Sequence, residues 1–109
     1  MRLLTVNDMF IEIHTTTANV EEAKRIAHTL VEKRLAACIN IYPVISVYRW
    51  EEKIEEDNEI SLSIKSTSRN FEEIRKTIRS LHSYDLPAIV SRKMEGDPDY
   101  LHWVADSTD

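Results

Sequence analysis

Two β-rich runs, Ala36 to Trp50 and Lys53 to Ser66, are separated by only Glu51 and Glu52. That spacing constrains the fold more than any other feature of the chain, because a two-residue turn fixes the register of a hairpin. The register sets Ile39 opposite Ile64, Ile41 opposite Leu62 and Pro43 opposite Ile60 on one face. Cys38 then faces Lys65, Asn40 faces Ser63 and Tyr42 faces Ser61 on the other. One face is apolar and one polar, and a slip of a single residue would destroy the division. Pro43 cannot donate to a ladder, so a bulge is expected there, shifting the outer half of the hairpin by a residue.

The flanking segments supply the rest of a sandwich. From Met9 to His14 the chain alternates, with Met9, Ile11 and Ile13 on one side and Phe10, Glu12 and His14 on the other, as a half-buried strand does. Asn19, with Glu22 three residues on, reads as a variant capping box. Val20, Ala23, Ile26, Ala27, Leu30 and Val31 then recur at helical spacing, with Glu21 and Glu22 early and Lys33 and Arg34 late. Asn70 opens a second helix with the stripe Phe71, Ile74, Ile78 and Leu81, which must end by Leu86 because the residue before Pro87 is kept out of the helical region. Ala88 to Met94 is a fourth strand. Gly96, the only glycine, makes a turn, Asp97 caps, and Pro98 starts a last helix carrying Tyr100, Leu101, Trp103 and Val104. Right-handed crossovers convert the order βαββαβ into an α+β, ferredoxin-like split βαβ sandwich: four antiparallel strands, both main helices on one face, and a terminal helix. A single domain over residues 1–109 is expected.

Charge and composition exclude several functions. The net charge is -5 with acids and bases interleaved, so no basic face awaits nucleic acid. The segment MRLLTVNDMF lacks the apolar run of a signal peptide, and nothing approaches the ~20 apolar residues of a membrane span, so a cytoplasmic location without membrane attachment is expected. The single cysteine, Cys38, allows no internal disulfide and no CxxC zinc site. Ser83 has His82 beside it, but sequence neighbours rarely form a productive pair and no elbow glycines surround the serine. Catalysis is not expected. The run EEKIEEDNE, Glu51 to Glu59, lacks the glycine of a calcium loop and reads as a solvated strand edge.

One feature does not suit a monomer. Hairpin strands of about fourteen residues against a first strand of about six leave an overhang of roughly 25 Å. Its outer half carries Ile45, Val47, Tyr48 and Trp50 opposite Glu55, Glu56, Asp57 and Asn58, with no helix of the same chain to cover it. An apolar edge of that kind is expected to be a subunit interface.

The blocks EKRLAACINIYP, SVYRWEEKIEEDNE, LHSYDLPAIV and GDPDYLHWV resemble the CutA1 family, the divalent-cation tolerance proteins, from the first strand to the last helix. The resemblance implies a ferredoxin-like fold, a homotrimer assembled through the long hairpin, a cytoplasmic bacterial or archaeal setting, and a link to copper and other divalent metals, with no other cofactor. Similarity of such trimers to PII-type proteins implies an alternative, a signalling or scaffold module whose metal response is indirect. Relatives often carry a cysteine at the position of Thr17, and copper binding is attributed to it with histidines before a Pro-Tyr pair. Here that pair is Ser83-Tyr84, only His82 keeps a histidine, and Leu81 stands where some relatives have a second. A threonine hydroxyl is a poor copper ligand beside a thiolate. The family also carries a glycine at position 52, where this chain has Glu52.

Two clusters of candidate residues follow from this topology. Thr17, His14, His82 and Tyr84 fall at one end of the sheet, and Cys38 and Lys65 at the other, where the ammonium is expected to favour the thiolate. His82 and Cys38 are the candidate metal ligands. In a trimer the hairpin tip, with Tyr48 and Trp50, covers a neighbour's sheet and forms a cleft, in which Lys65, Glu59, Tyr84 and Trp50 are the candidate contacts for a weakly held metal or small ligand. His28 and His102 lie off the apolar stripes and are read as solvent-facing.

Overall fold

A computed structural model describes residues 10–109, so Met9 lies outside the described residues. Strand β1 is Phe10–Thr17, helix α1 Val20–Glu32, β2 Cys38–Trp50, β3 Lys53–Thr67, α2 Phe71–Leu81, β4 Ile89–Lys93 and α3 Pro98–Asp106, with a 3-10 turn at Ser68–Asn70 before α2. The strands lie in the order β2-β3-β1-β4 and every neighbouring pair is antiparallel. This is the ferredoxin-like α+β sandwich.

Period-two burial builds the core. Ile11, Ile13, Thr15 and Thr17 of β1 all point inward, and Ile11 and Ile13 join Leu62 and Ile64 of β3 beneath Ile26 and Leu30 of α1 and Ile74 and Ile78 of α2. α3 packs against β3, burying Val104 and Ala105.

Helix α1 begins as expected, with Asn19 extended and its side chain accepting from the Glu22 amide at 2.8 Å, a cap worth ~1 kcal/mol. The other half of the capping box is absent. The Glu22 carboxylate does not turn back to Asn19; it accepts from the Ala18 amide at 3.1 Å and the Ser83 amide at 2.6 Å. The helix ends at Glu32, and Arg34 lies beyond it in the left-handed region at φ 59°. Its guanidinium reaches the Asp106 carbonyl at 2.8 Å and Asp109 at 3.1 Å. Asn70 does not cap α2. Its backbone is already helical within the 3-10 turn, and its amide group donates to Thr67 Oγ1 and the Asp109 main-chain oxygen.

The hairpin holds the anticipated register from Cys38–Lys65 to Trp50–Lys53 without a shift at Pro43. A two-residue turn makes Trp50–Lys53 a hydrogen-bonded pair, and the alternation along an antiparallel ladder then places Pro43 at a non-bonded site. β2 is an edge strand, so the missing N–H of Pro43 faces outward and no bulge is needed. Glu51 and Glu52 form the turn with φ 49° and 67°; Glu52 thus adopts a conformation that glycine would enter without steric cost.

β1 stops at Thr17, opposite Ile60. Beyond that point the hairpin continues unsupported from Val44 to Trp50, a reach of ~23 Å, in a molecule measuring 48 × 23 × 21 Å. Ile45, Val47 and Ile54 on this extension are 69%, 64% and 71% exposed.

Candidate functional site

Three elements meet where β1 ends, and buried polar side chains join them. His82, the first residue after α2, has a side chain with no solvent exposure. Its Nε2 lies 2.7 Å from the Thr16 carbonyl, and its Nδ1 accepts from the Tyr84 amide at 3.1 Å. A carbonyl can only accept and an amide N–H can only donate, so these partners assign a neutral imidazole protonated at Nε2. Both nitrogens are engaged, and the lone pair a metal would need already receives a proton donor.

Glu22 supports this corner from α1. Burial opposes its charge, but the hydrogen bonds from Ala18 and Ser83 outweigh that and hold the carboxyl below its ordinary value. The His82 and Tyr84 rings are 4.8 Å apart and tilted by 50°. The Tyr84 hydroxyl donates to Glu59 at 2.7 Å, and burial together with that carboxylate raises the phenol's pKa. Glu59 is buried at the base of the hairpin extension. A continuous polar path therefore runs from α1 through the loop after α2 to the hairpin.

Of the sequence-based candidates, Glu59 and Tyr84 are in direct contact and His82 is their neighbour. Lys65 and Trp50 are elsewhere. Lys65 is held by Asn40 at 2.6 Å and Ser63 at 2.8 Å, while Trp50 stands at the hairpin tip, 48% exposed, opposite Lys53. Cys38 faces Lys65 in the register, as expected, and burial together with the nearby cysteine raises the pKa of the Tyr100 hydroxyl. His14 does not join His82. It lies beside Glu12, with Nε2 3.4 Å from the carboxylate, because β1 residues alternate faces and His14 belongs to the face opposite the core. The Thr17 hydroxyl is fully buried, 3.1 Å from both the Asn19 and Ile60 carbonyls. His28 and His102 are exposed. Among the described residues, no three His, Cys, Asp or Glu side chains converge as a metal-holding group.

Two features escaped the sequence. Glu22 reads as an ordinary first-turn acid, and its burial depends on a loop sixty residues away in the chain. Glu12, on the polar face of β1, accepts from the Ser63 hydroxyl and from Arg92, which pull its pKa down to about 2 against burial. The alternation of β1 signals Glu12's face, but its partners appear only once β3 and β4 are aligned on either side.

Beside the Glu59 corner lies an open groove of about 810 Å³, formed by Ala18 to Glu21 at the start of α1 and by Pro43 to Ile45 and Asn58 to Ile60 of the hairpin. Its floor is largely apolar, from Val20, Pro43, Ile45 and Ile60, with Asn19, Glu21, Asn58 and Glu59 supplying the polar groups.

Comparison with known proteins agrees with this architecture. The family described as CutA1 divalent ion tolerance protein matches residues 11–107. The chain is 40% identical over 98 residues to the divalent-cation tolerance protein CutA of Archaeoglobus fulgidus, covering 89% of this chain and 96% of that protein. It is 41% identical over 95 residues to the protein of the same name from Thermus thermophilus, covering 85% and 92% respectively. A solved structure described as the periplasmic divalent cation tolerance protein CutA from Archaeoglobus fulgidus superposes with a TM-score of 0.90 at 38% identity, covering 93% of this chain and all of that one. With the four-stranded sheet, the long hairpin and these matches in hand, the chain belongs to the CutA1 family of divalent ion tolerance proteins.

Proposed function

We propose that this protein serves divalent-cation tolerance as a cytoplasmic, non-catalytic homotrimer that binds a divalent metal such as copper, or a small ligand, weakly in clefts between subunits. The observation that carries the reading is the unsupported hairpin extension beside the 810 Å³ groove. Its exposed Ile45, Val47 and Ile54 have no cover among the described residues, and a second copy supplies a matching apolar surface by symmetry. In that arrangement Glu59 and Tyr84 are at the edge of the cleft and Trp50 of one copy approaches its neighbour. Engagement of both His82 nitrogens supports weak binding over tight chelation and leaves no base for Ser83, which supports a role without catalysis.

The state of His82 also favours a second reading, a PII-like signalling or scaffold trimer whose response to metal is indirect. Calorimetric titration with Cu(II) and Zn(II) separates the two. On the first reading wild-type protein binds saturably with a Kd between about 1 and 100 μM, and Glu59→Gln or Cys38→Ser weakens binding. No saturable binding by any of these proteins below about 100 μM would favour the second.

A further inference from the structure

Glu59 lines the groove and at the same time accepts a hydrogen bond from a loop outside it. Two residues back along β3, on the same face of the strand, Asp57 accepts from the Tyr48 hydroxyl. Successive acids of the hairpin base are thus each capped by a phenol. The pKa of Tyr48 is raised to about 12, chiefly by its bond to Asp57, and that of Tyr84 is raised by burial and by Glu59. Both hydroxyls therefore keep their protons at neutral pH and donate them to the carboxylates.

The loop that carries Tyr84 is tied at two further points. The Ser83 amide donates to Glu22 at 2.6 Å and the Tyr84 amide to His82 Nδ1 at 3.1 Å. The second Glu22 oxygen accepts from the Ala18 amide at 3.1 Å, and Ala18 is part of the groove wall. Groove and loop therefore meet at two junctions, Glu59 with Tyr84 and Ala18 with Ser83 through Glu22. Beyond Tyr84 the loop lies open, with Asp85 exposed and Leu86 70% exposed. Only these ties hold its inner half against the sheet.

Taking Glu59 as a cleft contact, as proposed above, we infer that Tyr84 sets the affinity of the cleft: its hydroxyl is an internal competitor for the Glu59 carboxylate. A divalent cation that takes Glu59 displaces that hydroxyl and loosens the loop at residues 83–86. The phenol proton points at the Glu59 oxygen from 2.7 Å, so the positive end of the O–H dipole already occupies a lone pair that a cation would use. Breaking this bond weakens binding by what the bond is worth. Linkage makes the effect reciprocal, because a tie that opposes the cation is a tie the cation opposes.

The test is calorimetric titration of wild type, Tyr84→Phe and Asn70→Ala with Zn(II), with amide hydrogen exchange of residues 83–86 followed with and without the metal. Tyr84→Phe should bind about fivefold more tightly than wild type. Zn(II) should speed exchange of the loop about fivefold in wild type and add nothing in Tyr84→Phe, whose loop is already released. Asn70 bonds Thr67, which pairs with Phe10 at the end of the sheet away from the groove, so Asn70→Ala should keep the wild-type affinity. Weaker binding by Tyr84→Phe would make the hydroxyl a ligand and overturn the inference. Equal tightening by Asn70→Ala would overturn it in favour of general loosening, and saturable binding with unchanged loop exchange would overturn the coupling; in all three cases binding in the cleft still stands. No saturable binding by wild type or Tyr84→Phe below about 100 μM would overturn the inference and the cleft reading together.

Discussion

His82 and Glu12 show what single side chains become when distant strands surround them. His82 reads in sequence as a histidine following a helix, free to bind a metal or a last-turn carbonyl. In the fold it reaches the β1 carbonyl of Thr16 instead, a partner that periodicity within α2 cannot reveal. Glu12 has a measurable consequence. Its pKa lies at about 2 against an ordinary 4.5, so it contributes stability that is present above pH 4.5 and is lost as pH falls towards 2. Allowing for partial solvent screening, we expect Glu12→Gln to cost about 2 kcal/mol at pH 7, and the difference from wild type to shrink steadily between pH 5 and pH 2. Urea unfolding across that range measures it, and a difference independent of pH would refute the assignment. At the turn, Glu52→Gly should stabilise by ~1 kcal/mol by relieving the left-handed strain of a side chain, seen as a higher urea midpoint.

At the scale of elements, the hairpin was the most legible part of the chain, because a two-residue turn and a period of two leave only one register with a clean apolar face. The bulge expected at Pro43 failed for a related reason: the same turn fixes which residues bond inward, and Pro43 is not among them. Helix ends were less legible. Asn19 caps as its sequence suggests, whereas Asn70 is diverted to Thr67 and the C-terminal residue, contacts that a local pattern does not contain. Part of the candidate site was legible, since Glu59 and Tyr84 meet within one chain and Lys65 lies opposite Cys38 as the register requires; that Lys65 turns along its own strand to Ser63 and across to Asn40 was not. Tyr84→Phe removes the hydroxyl that ties the loop after α2 to the hairpin base, leaving the buried Glu59 carboxylate without it. A loss of about 1–2 kcal/mol is expected, together with faster amide hydrogen exchange around Glu59; unchanged exchange there would show that the tie does not hold the extension.

For the whole molecule, the decisive feature is length. A core built under five to eight strand residues cannot cover a hairpin that runs ~23 Å past it, and three aliphatic side chains there remain more than three-fifths exposed. The mismatch in strand lengths was visible in sequence, though the groove beside the overhang was not, since it needs the α1 start and the hairpin in place together. Val47→Glu, a charge at the centre of that extension, should shift the protein towards monomer without unfolding it, since Val47 takes no part in the core; loss of helical circular dichroism would instead mean that the fold itself depends on this position. Sedimentation equilibrium of the wild-type chain at micromolar concentration tests the assembly most directly. A single species of three times the 12.7 kDa chain mass is expected, and a monomer of 12.7 kDa under those conditions would contradict assembly through the hairpin.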